Sequence, residues 1–156
     1  RRLVEHVYAP FSVTTLEDLR SVLYRSLEVR RVRTQDDIAQ EHLIRWKRSA
    51  AQILEDGYVY QGKLCTDVSV VFISMCLALG LEARLAKLKR QSMTHSVVEV
   101  FLPDGWYVID VSNQESEPMR GEITEDTPYH DWILWKKAPD AWSMGLDGAD
   151  KMASIF

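Results

Sequence analysis

Three residues of the chain, Cys65, His95 and Asp110, have the side chains that thiol-based acyl transfer requires. A cysteine attacks a carbonyl carbon as its thiolate, a histidine carries the proton, and a carboxylate fixes the tautomer and orientation of the imidazole. Each of the three lies at the end of a predicted helix or strand, where side chains from different elements can meet. We therefore predict that they form one catalytic triad.

Cys65 lies at the start of the most regular apolar pattern in the chain. From Val68 onward, apolar residues recur at helical spacing, which predicts a helix over 65–79 with one buried face. Cys65 falls on the same face, at the end where unpaired N–H groups and the positive end of the helix dipole stabilise a thiolate. Cys76 lies in the middle of the apolar stripe, and we predict that it is an inert core residue.

His95 and Asp110 fall on strands that are predicted to follow this helix. Beyond residue 80 the apolar period changes from about 3.6 to two, which is typical of strands. Three strands are predicted, over 81–88, 94–102 and 106–111. Two helices are predicted upstream, near 15–28 and over about 34–56. This order of elements predicts an α+β fold in which helices pack on an antiparallel sheet.

The connection between the last two strands decides whether Asp110 can reach His95. If Asp104-Gly105 forms a two-residue hairpin loop, Asp110 pairs with Glu99. Asp110 is then four residues along the strand from His95, roughly 13 Å away, and a triad needs a wider turn or a bulge. A carboxylate at the end of so apolar a strand nevertheless needs a partner, and histidine is a good one.

Three segments resemble the motifs of the transglutaminase-like superfamily, in the right order and at ordinary spacing. They are Gly62-Lys63-Leu64-Cys65-Thr66-Asp67 with its continuation from Met75 to Arg84, His95-Ser96-Val97-Val98-Glu99-Val100-Phe101, and Gly105-Trp106-Tyr107-Val108-Ile109-Asp110. The resemblance extends over residues 62–112. It departs from the family pattern at two positions: Gly62 lies three residues before the cysteine rather than two, and Val97 replaces the usual Trp.

The resemblance implies a papain-like core with Cys65 as nucleophile, His95 as general base and then acid, and Asp110 as orienting residue. The family includes cross-linking enzymes, deamidases, proteases and peptide N-glycanases, so a protein or peptide substrate is implied. Hydrolysis and amine transfer both stay open, and hydrolysis is favoured for a small domain. The alternative is a catalytically dormant domain that serves as a protein-binding module. A third reading, a structural thiol fold outside this family, would bury Cys65 in the core beside Cys76.

Attack on a carbonyl develops negative charge beside the start of the helix, where the backbone N–H of Cys65 is a natural donor. The loop before the helix should supply the second oxyanion donor. Gln61 is the first candidate and Tyr60 is the second.

Other polar residues near the motifs are predicted to be structural. Asp67 suits the first turn of a helix, and Glu99 is expected to pair with Arg84 or with a lysine of a neighbouring strand. The remaining histidines lack partners at metal-ligand spacing, and we predict no metal site and no cofactor. They are His6, His42 and His130.

Composition restricts the remaining possibilities. A chain of 156 residues that is 46% hydrophobic suits a single domain over 1–156, with its motif core at 57–115 and a tail at 116–156 whose structure is not predicted. A net charge of −4 argues against a nucleic-acid partner, and no apolar run is long enough for a membrane span. Two free thiols favour a reducing compartment such as the cytoplasm.

Overall fold

The structure is a computed structural model that describes residues 11–156. His6, one of the histidines considered above, lies outside the described residues. A layer of helices packs on one face of a five-stranded antiparallel sheet, so the predicted α+β class is confirmed. No helix within residues 11–156 is long and apolar enough to cross a membrane.

The helices come before the large sheet in the chain, as predicted. The α-helices of the described residues are α1 (Val13–Ser26), α2 (Gln35–Ile44), α3 (Ala50–Asp56) and α4 (Cys65–Ala78). Two 3-10 helices, Trp142–Met144 and Ala149–Ile155, lie near the C-terminal end.

The prediction of one long helix over about 34–56 is wrong, because α2 and α3 are separate. The chain turns at Trp46, whose φ of 61° is incompatible with a continuing right-handed helix. A new helix then begins at Ala50 and is capped by Ser49, whose hydroxyl accepts a hydrogen bond from the backbone N–H of Gln52. Trp46 is buried, so the turn between the two helices places a large apolar side chain in the core.

The strands form two sheets. A small parallel pair joins β1 (Glu28–Arg30) to β2 (Tyr58–Tyr60). The large sheet has the order β6-β5-β4-β3-β7. Its strands are β3 (Glu82–Arg90), β4 (Met93–Leu102), β5 (Gly105–Ile109), β6 (Met119–Arg120) and β7 (Ile133–Ala138). The tail, which carried no clear pattern, therefore supplies both edge strands of the sheet.

The hairpin between β4 and β5 has a different loop from the one considered above. Leu102 pairs with Gly105, so the two loop residues are Pro103 and Asp104. The alternative loop, Asp104-Gly105, is therefore wrong, and every residue of β5 pairs two positions earlier along β4 than that alternative requires.

Helix α4 supplies the centre of the core. Its apolar face packs on β3 and β4, and the buried residues of this layer include Val68, Phe72, Cys76, Leu85 and Val98. The opposite face of the sheet carries a smaller apolar cluster that includes residues of the tail: Ala86, Leu88, Val97, Val108, Ile123 and Tyr129. Cys76 is completely buried, and burial raises the pKa of its thiol to about 12.

Glu99 joins the tail to the sheet. Its carboxylate is fully buried, 2.8 Å from Arg84 Nε and 2.8 Å from Lys137 Nζ of β7. It also accepts a hydrogen bond of 2.7 Å from the backbone N–H of Ile123. The predicted pairing of Glu99 with Arg84 is confirmed, and the same carboxylate binds two segments of the tail.

We expect Glu99→Gln to lower the free energy of unfolding by about 2 kcal/mol, because it removes the buried counter-charge of Arg84 and Lys137 and leaves them only the more exposed Glu122. Urea denaturation of the purified variant measures this loss. Glu82→Gln is the matched control: Glu82 lies on β3 but is exposed, so its change should stay within about 0.5 kcal/mol. Equal denaturation midpoints for the two variants would contradict the structural role of Glu99.

Candidate active site

Cys65 is the first residue of α4, as predicted. Cys65 is a partly exposed residue, whereas Cys76, further along the same helix, is buried. The structure thus separates the two thiols and does not place Cys65 in the core. At the helix start, the thiol lies beside N–H groups that have no partner within the helix.

Asp110 lies beside His95 because of the β4–β5 register. Ile109 pairs with Val98, so continuing the register by one residue places Asp110 opposite Val97. Val97 is two residues from His95, and alternate residues of a strand share a face. Asp110 and His95 are therefore diagonal neighbours, which are about 7–8 Å apart between Cα atoms, and side chains of this size bridge that distance.

His95 Nε2 lies 2.8 Å from Asp110 Oδ2, within hydrogen-bond distance. The second carboxylate oxygen, Oδ1, accepts hydrogen bonds from the backbone N–H (3.1 Å) and the hydroxyl (2.7 Å) of Ser112. Although burial opposes it, the contacts with His95 and Ser112 hold the pKa of Asp110 below its usual range. The aspartate is thus a carboxylate whose two oxygens are both fixed.

The imidazole also meets the nucleophile. Cys65 helps to raise the pKa of the imidazole and His95 lowers the pKa of the thiol, so the two side chains interact. Because Nε2 faces Asp110, Nδ1 is the nitrogen left for the sulfur. The backbone of Ser96 also helps to lower the pKa of the Cys65 thiol. The structure therefore brings together all three residues that the sequence singled out.

The electrostatics of the site favour an ion pair. Burial alone would raise the pKa of Cys65, but the hydrogen bond with His95 and the positive charges of Lys87 and His95 lower it to about 6. Burial alone would lower the pKa of His95, but its hydrogen bonds with Asp110 and Cys65 raise it to about 9. Between these values the pair exists as thiolate and imidazolium, which is the reactive form of a thiol nucleophile.

The tail covers the histidine. The ring of Trp132 lies 5.2 Å from that of His95 between centroids, tilted by 32°. The guanidinium of Arg90 lies over the Trp132 ring at 4.2 Å and pairs with Asp131 at 2.7 Å. The sequence does not predict Trp132 as a site residue, because the tail has no regular apolar period. The tryptophans of the tail are the one feature that could have pointed to it.

Arg20 of α1 is a second residue that sequence reasoning missed. It is buried, and its guanidinium donates hydrogen bonds to the backbone carbonyl oxygens of Asp110 (3.1 Å), Asn113 (2.9 Å) and Ser116 (2.8 Å). It thereby holds the segment that follows β5. One feature of the sequence could have indicated this role: Arg20 is a charged residue on the apolar face of α1, four residues after Leu16.

The two predicted oxyanion donors lie before α4. Gln61 is exposed, and its backbone N–H donates to the carbonyl oxygen of Arg30 at 2.8 Å. Tyr60 is buried in β2, with its ring edge-on to Tyr58 at 5.6 Å between centroids. Because the Gln61 backbone N–H already donates to Arg30, only the Gln61 side chain is left as an oxyanion donor. Gln61 and Tyr60 both stay predictions for this role.

Asp67 has a buried structural partner. Its carboxylate lies 3.0 Å from the guanidinium of Arg48. Burial raises the pKa of Asp67 to about 6, against the opposing effect of Arg48. Within residues 11–156, no cluster of three or more His, Cys, Asp or Glu side chains is placed to hold a metal ion.

Comparison with known proteins decides the family. A profile of the transglutaminase-like superfamily matches residues 19–111, more than half of the chain. The chain belongs to this superfamily. The matched range contains Cys65, His95 and Asp110, and it ends one residue after the aspartate. No curated protein sequence matches the chain significantly.

Solved structures share the fold of this superfamily member. A candidate cysteine protease of Cytophaga hutchinsonii matches with a TM-score of 0.57 and 14% identity over 93% of this chain, which spans only 43% of that protein. Legionella pneumophila LapG matches with a TM-score of 0.55 and 13% identity, over 99% of this chain and 84% of LapG. An EGTA-treated form of LapG gives a TM-score of 0.56 and 15% identity, over 99% of this chain and 85% of that one. At such identities the likeness concerns the fold alone.

We expect alkylation of Cys65 by iodoacetamide to rise with a midpoint near pH 6, whereas Cys76 stays unlabelled in the folded protein because its buried thiol has a pKa of about 12. His95→Ala removes a hydrogen bond and a positive charge from the thiolate, so the midpoint should move up to about 8.5 or higher. Peptide mass spectrometry across the pH range measures both sites in one sample. Slow and equal labelling of the two cysteines would show that Cys65 is not activated.

We expect His95 to titrate near pH 9 in NMR spectra of its ring, well above an ordinary histidine. Asp110→Asn removes the carboxylate that favours the imidazolium, so the midpoint should fall by about 2 units or more. Asp126→Asn removes an exposed carboxylate of the tail and is the matched control. A His95 midpoint that is the same in Asp110→Asn as in the wild type would exclude Asp110 as its partner.

Proposed function

We propose that the chain is a thiol-dependent acyl-transfer enzyme that acts on peptide or carboxamide bonds of proteins. Cys65 is the nucleophile, His95 is the general base and then acid, and Asp110 orients the imidazole. The observation that carries this proposal is the 2.8 Å contact between His95 Nε2 and Asp110 Oδ2, with the Cys65 thiol on the other side of the imidazole and close enough for each to shift the pKa of the other. Membership of the transglutaminase-like superfamily supports the same chemistry.

The reaction follows from the charge state of the pair. The Cys65 thiolate attacks the carbonyl carbon, and the oxyanion forms beside the N–H groups at the start of α4, with Gln61 or Tyr60 as the second donor. The His95 imidazolium then gives its proton to the leaving amine, which leaves a thioester on Cys65 and a neutral imidazole. The imidazole next takes a proton from the acceptor, which attacks the thioester and releases the thiolate.

The acceptor is proposed to be water, which makes the enzyme a cysteine protease or amidase. The Cytophaga hutchinsonii protein of the same fold is named as a candidate cysteine protease, and this supports hydrolysis. Cys65 is a partly exposed residue at the start of α4 and not a core residue. Amine transfer uses the same thioester and differs only in the group that resolves it.

A trapping experiment tests the proposal. The protein is incubated with a mixture of unfolded proteins and a biotin-labelled primary amine, and the products are analysed by mass spectrometry. Hydrolysis gives new peptide termini or deamidated side chains, whereas transfer gives biotin-labelled ones. Cys65→Ala should abolish both, Asp110→Asn should lower turnover by about a hundredfold or more, and Cys76→Ala should retain activity.

The result that would overturn the proposal is an absence of turnover together with slow labelling of Cys65. In that case the domain would be a dormant member of the superfamily, and its triad residues would serve a protein-binding module. Fast, His95-dependent labelling of Cys65 would instead show an activated thiol and direct the search to other substrate proteins.

A further inference from the structure

Lys87 is a lysine in the interior of the protein. It lies on β3, on the face of the sheet that packs against α4, and its side chain is completely buried. Its Nζ donates hydrogen bonds to Thr66 Oγ1 (3.1 Å) and Ser96 Oγ (3.0 Å), and it lies 4.6 Å from the centre of the Trp46 ring. A buried ammonium group costs several kcal/mol unless an opposite charge compensates it, and all three of these partners are neutral.

No carboxylate compensates this charge at close range. Among residues 11–156, Lys87 forms no ion pair with an Asp or Glu side chain within 4.0 Å. Burial lowers the pKa of Lys87, and the negative groups that oppose this shift are the Cys65 thiolate first and Asp67 second. Asp67 is already paired with Arg48 at 3.0 Å. The thiolate is therefore the counter-charge that remains for Lys87.

The hydroxyl partners of Lys87 are the sequence neighbours of two triad residues. Thr66 follows Cys65 directly, and Ser96 follows His95 directly. The two hydroxyl oxygens are also 2.9 Å from each other, so the ammonium and the two hydroxyls form a closed triangle. This triangle connects the start of α4 to β4 at the point where the thiol must meet the imidazole.

We propose that Lys87 is a positioning residue of the active site, which holds the nucleophile helix against the histidine strand and supplies a positive charge that keeps Cys65 ionised. This inference rests on the proposed function, because it concerns the reactivity of the same thiol. It assigns a role in acyl transfer to a residue that touches neither the substrate nor the reacting carbonyl.

Other titratable groups face Cys65 or Lys87 from the elements packed around them. They are Tyr24 of α1, Arg45 at the end of α2, Asp67 of α4 and His95 of β4. The charged ones have carboxylate or guanidinium partners of their own: Arg45 with Glu41, Asp67 with Arg48, and His95 with Asp110. Tyr24 donates its hydroxyl proton to the carbonyl oxygen of Val111. Lys87 differs from the cations Arg45 and His95, because no carboxylate among residues 11–156 forms an ion pair with it.

The test compares the pH midpoint of Cys65 alkylation in the wild type, Lys87→Met and Lys87→Arg, each as the full chain. Methionine has a similar length without the charge, so the midpoint should rise by about one unit, which slows labelling near pH 6 about fivefold. Lys87→Arg keeps the charge and should lie closer to the wild type. A purely structural role for Lys87 would change the unfolding temperature of Lys87→Met but not this midpoint.

A second variant tests the inference without disturbing Lys87. If the thiolate is its counter-charge, the coupling is reciprocal, and Cys65→Ser should make Lys87 lose its proton at lower pH than in the wild type. NMR of selectively labelled lysine Nζ groups measures this midpoint, with exposed Lys63 as the control. This measurement stays decisive even where Lys87→Met does not fold.

The outcomes separate the two proposals. A low Cys65 midpoint that rises in Lys87→Met, with a Lys87 midpoint that falls in Cys65→Ser, supports the inference. A low Cys65 midpoint that is unchanged in Lys87→Met, together with an unchanged Lys87 midpoint in Cys65→Ser, overturns it and leaves the proposed function standing. An ordinary Cys65 midpoint in the wild type overturns the inference, and together with an absence of turnover it also overturns the proposed function.

Discussion

The register of the β4–β5 hairpin decides whether Asp110 can reach His95. A shift by one residue would turn the carboxylate to the other face of the sheet, and a shift by two towards the register of an Asp104-Gly105 loop would move it about 7 Å further from His95 along the strand. The side chains around the loop hold this register: Asp104 accepts hydrogen bonds from the Tyr107 hydroxyl at 2.7 Å and from the guanidinium of Arg120 at 3.0 Å. A turn at the far end of the hairpin thus sets the geometry at the active site.

The site also depends on polar groups that lie inside the protein. Arg20 holds the segment after β5, Lys87 joins α4 to β4, and Glu99 draws the tail onto the sheet. Each is a buried charge, and each connects parts of the chain that are distant in sequence. Buried charges are costly for stability but specific in geometry, since only one arrangement satisfies all their hydrogen bonds. The precision of the site therefore comes from these contacts as much as from the apolar core.

The features that depend on local sequence pattern could be predicted from the sequence. The helix that begins at Cys65 and the strands that carry His95 and Asp110 follow from apolar periodicity, and the three motifs identified the superfamily. The hairpin loop was harder, because Asp-Gly is the stronger local turn signal and the choice of Pro103-Asp104 depends on pairing along the whole hairpin. The strands of the small parallel pair are too short to show a period.

Features that depend on contacts between distant segments could not be read from the chain. Trp132 reaches His95 only because β7 pairs with β3, and two adjacent lysines interrupt the alternation of that strand. Lys87 and Arg20 were visible only as charged residues among apolar ones, which is an ambiguous signal without their partners. The candidate triad was thus predictable as a set of residues, whereas the residues around it required the structure.

The hydrogen bonds of Arg20 have a consequence for the timing of folding. They join α1 to the carbonyl oxygens of residues 110, 113 and 116, across a sequence separation of 90 residues and more. Such contacts form only when most of the chain has been synthesised and collapsed. Until then the segment that follows β5 is not yet held by α1. The geometry around the candidate triad is thus completed only after residues 110–116 have been synthesised and have packed against the first helix.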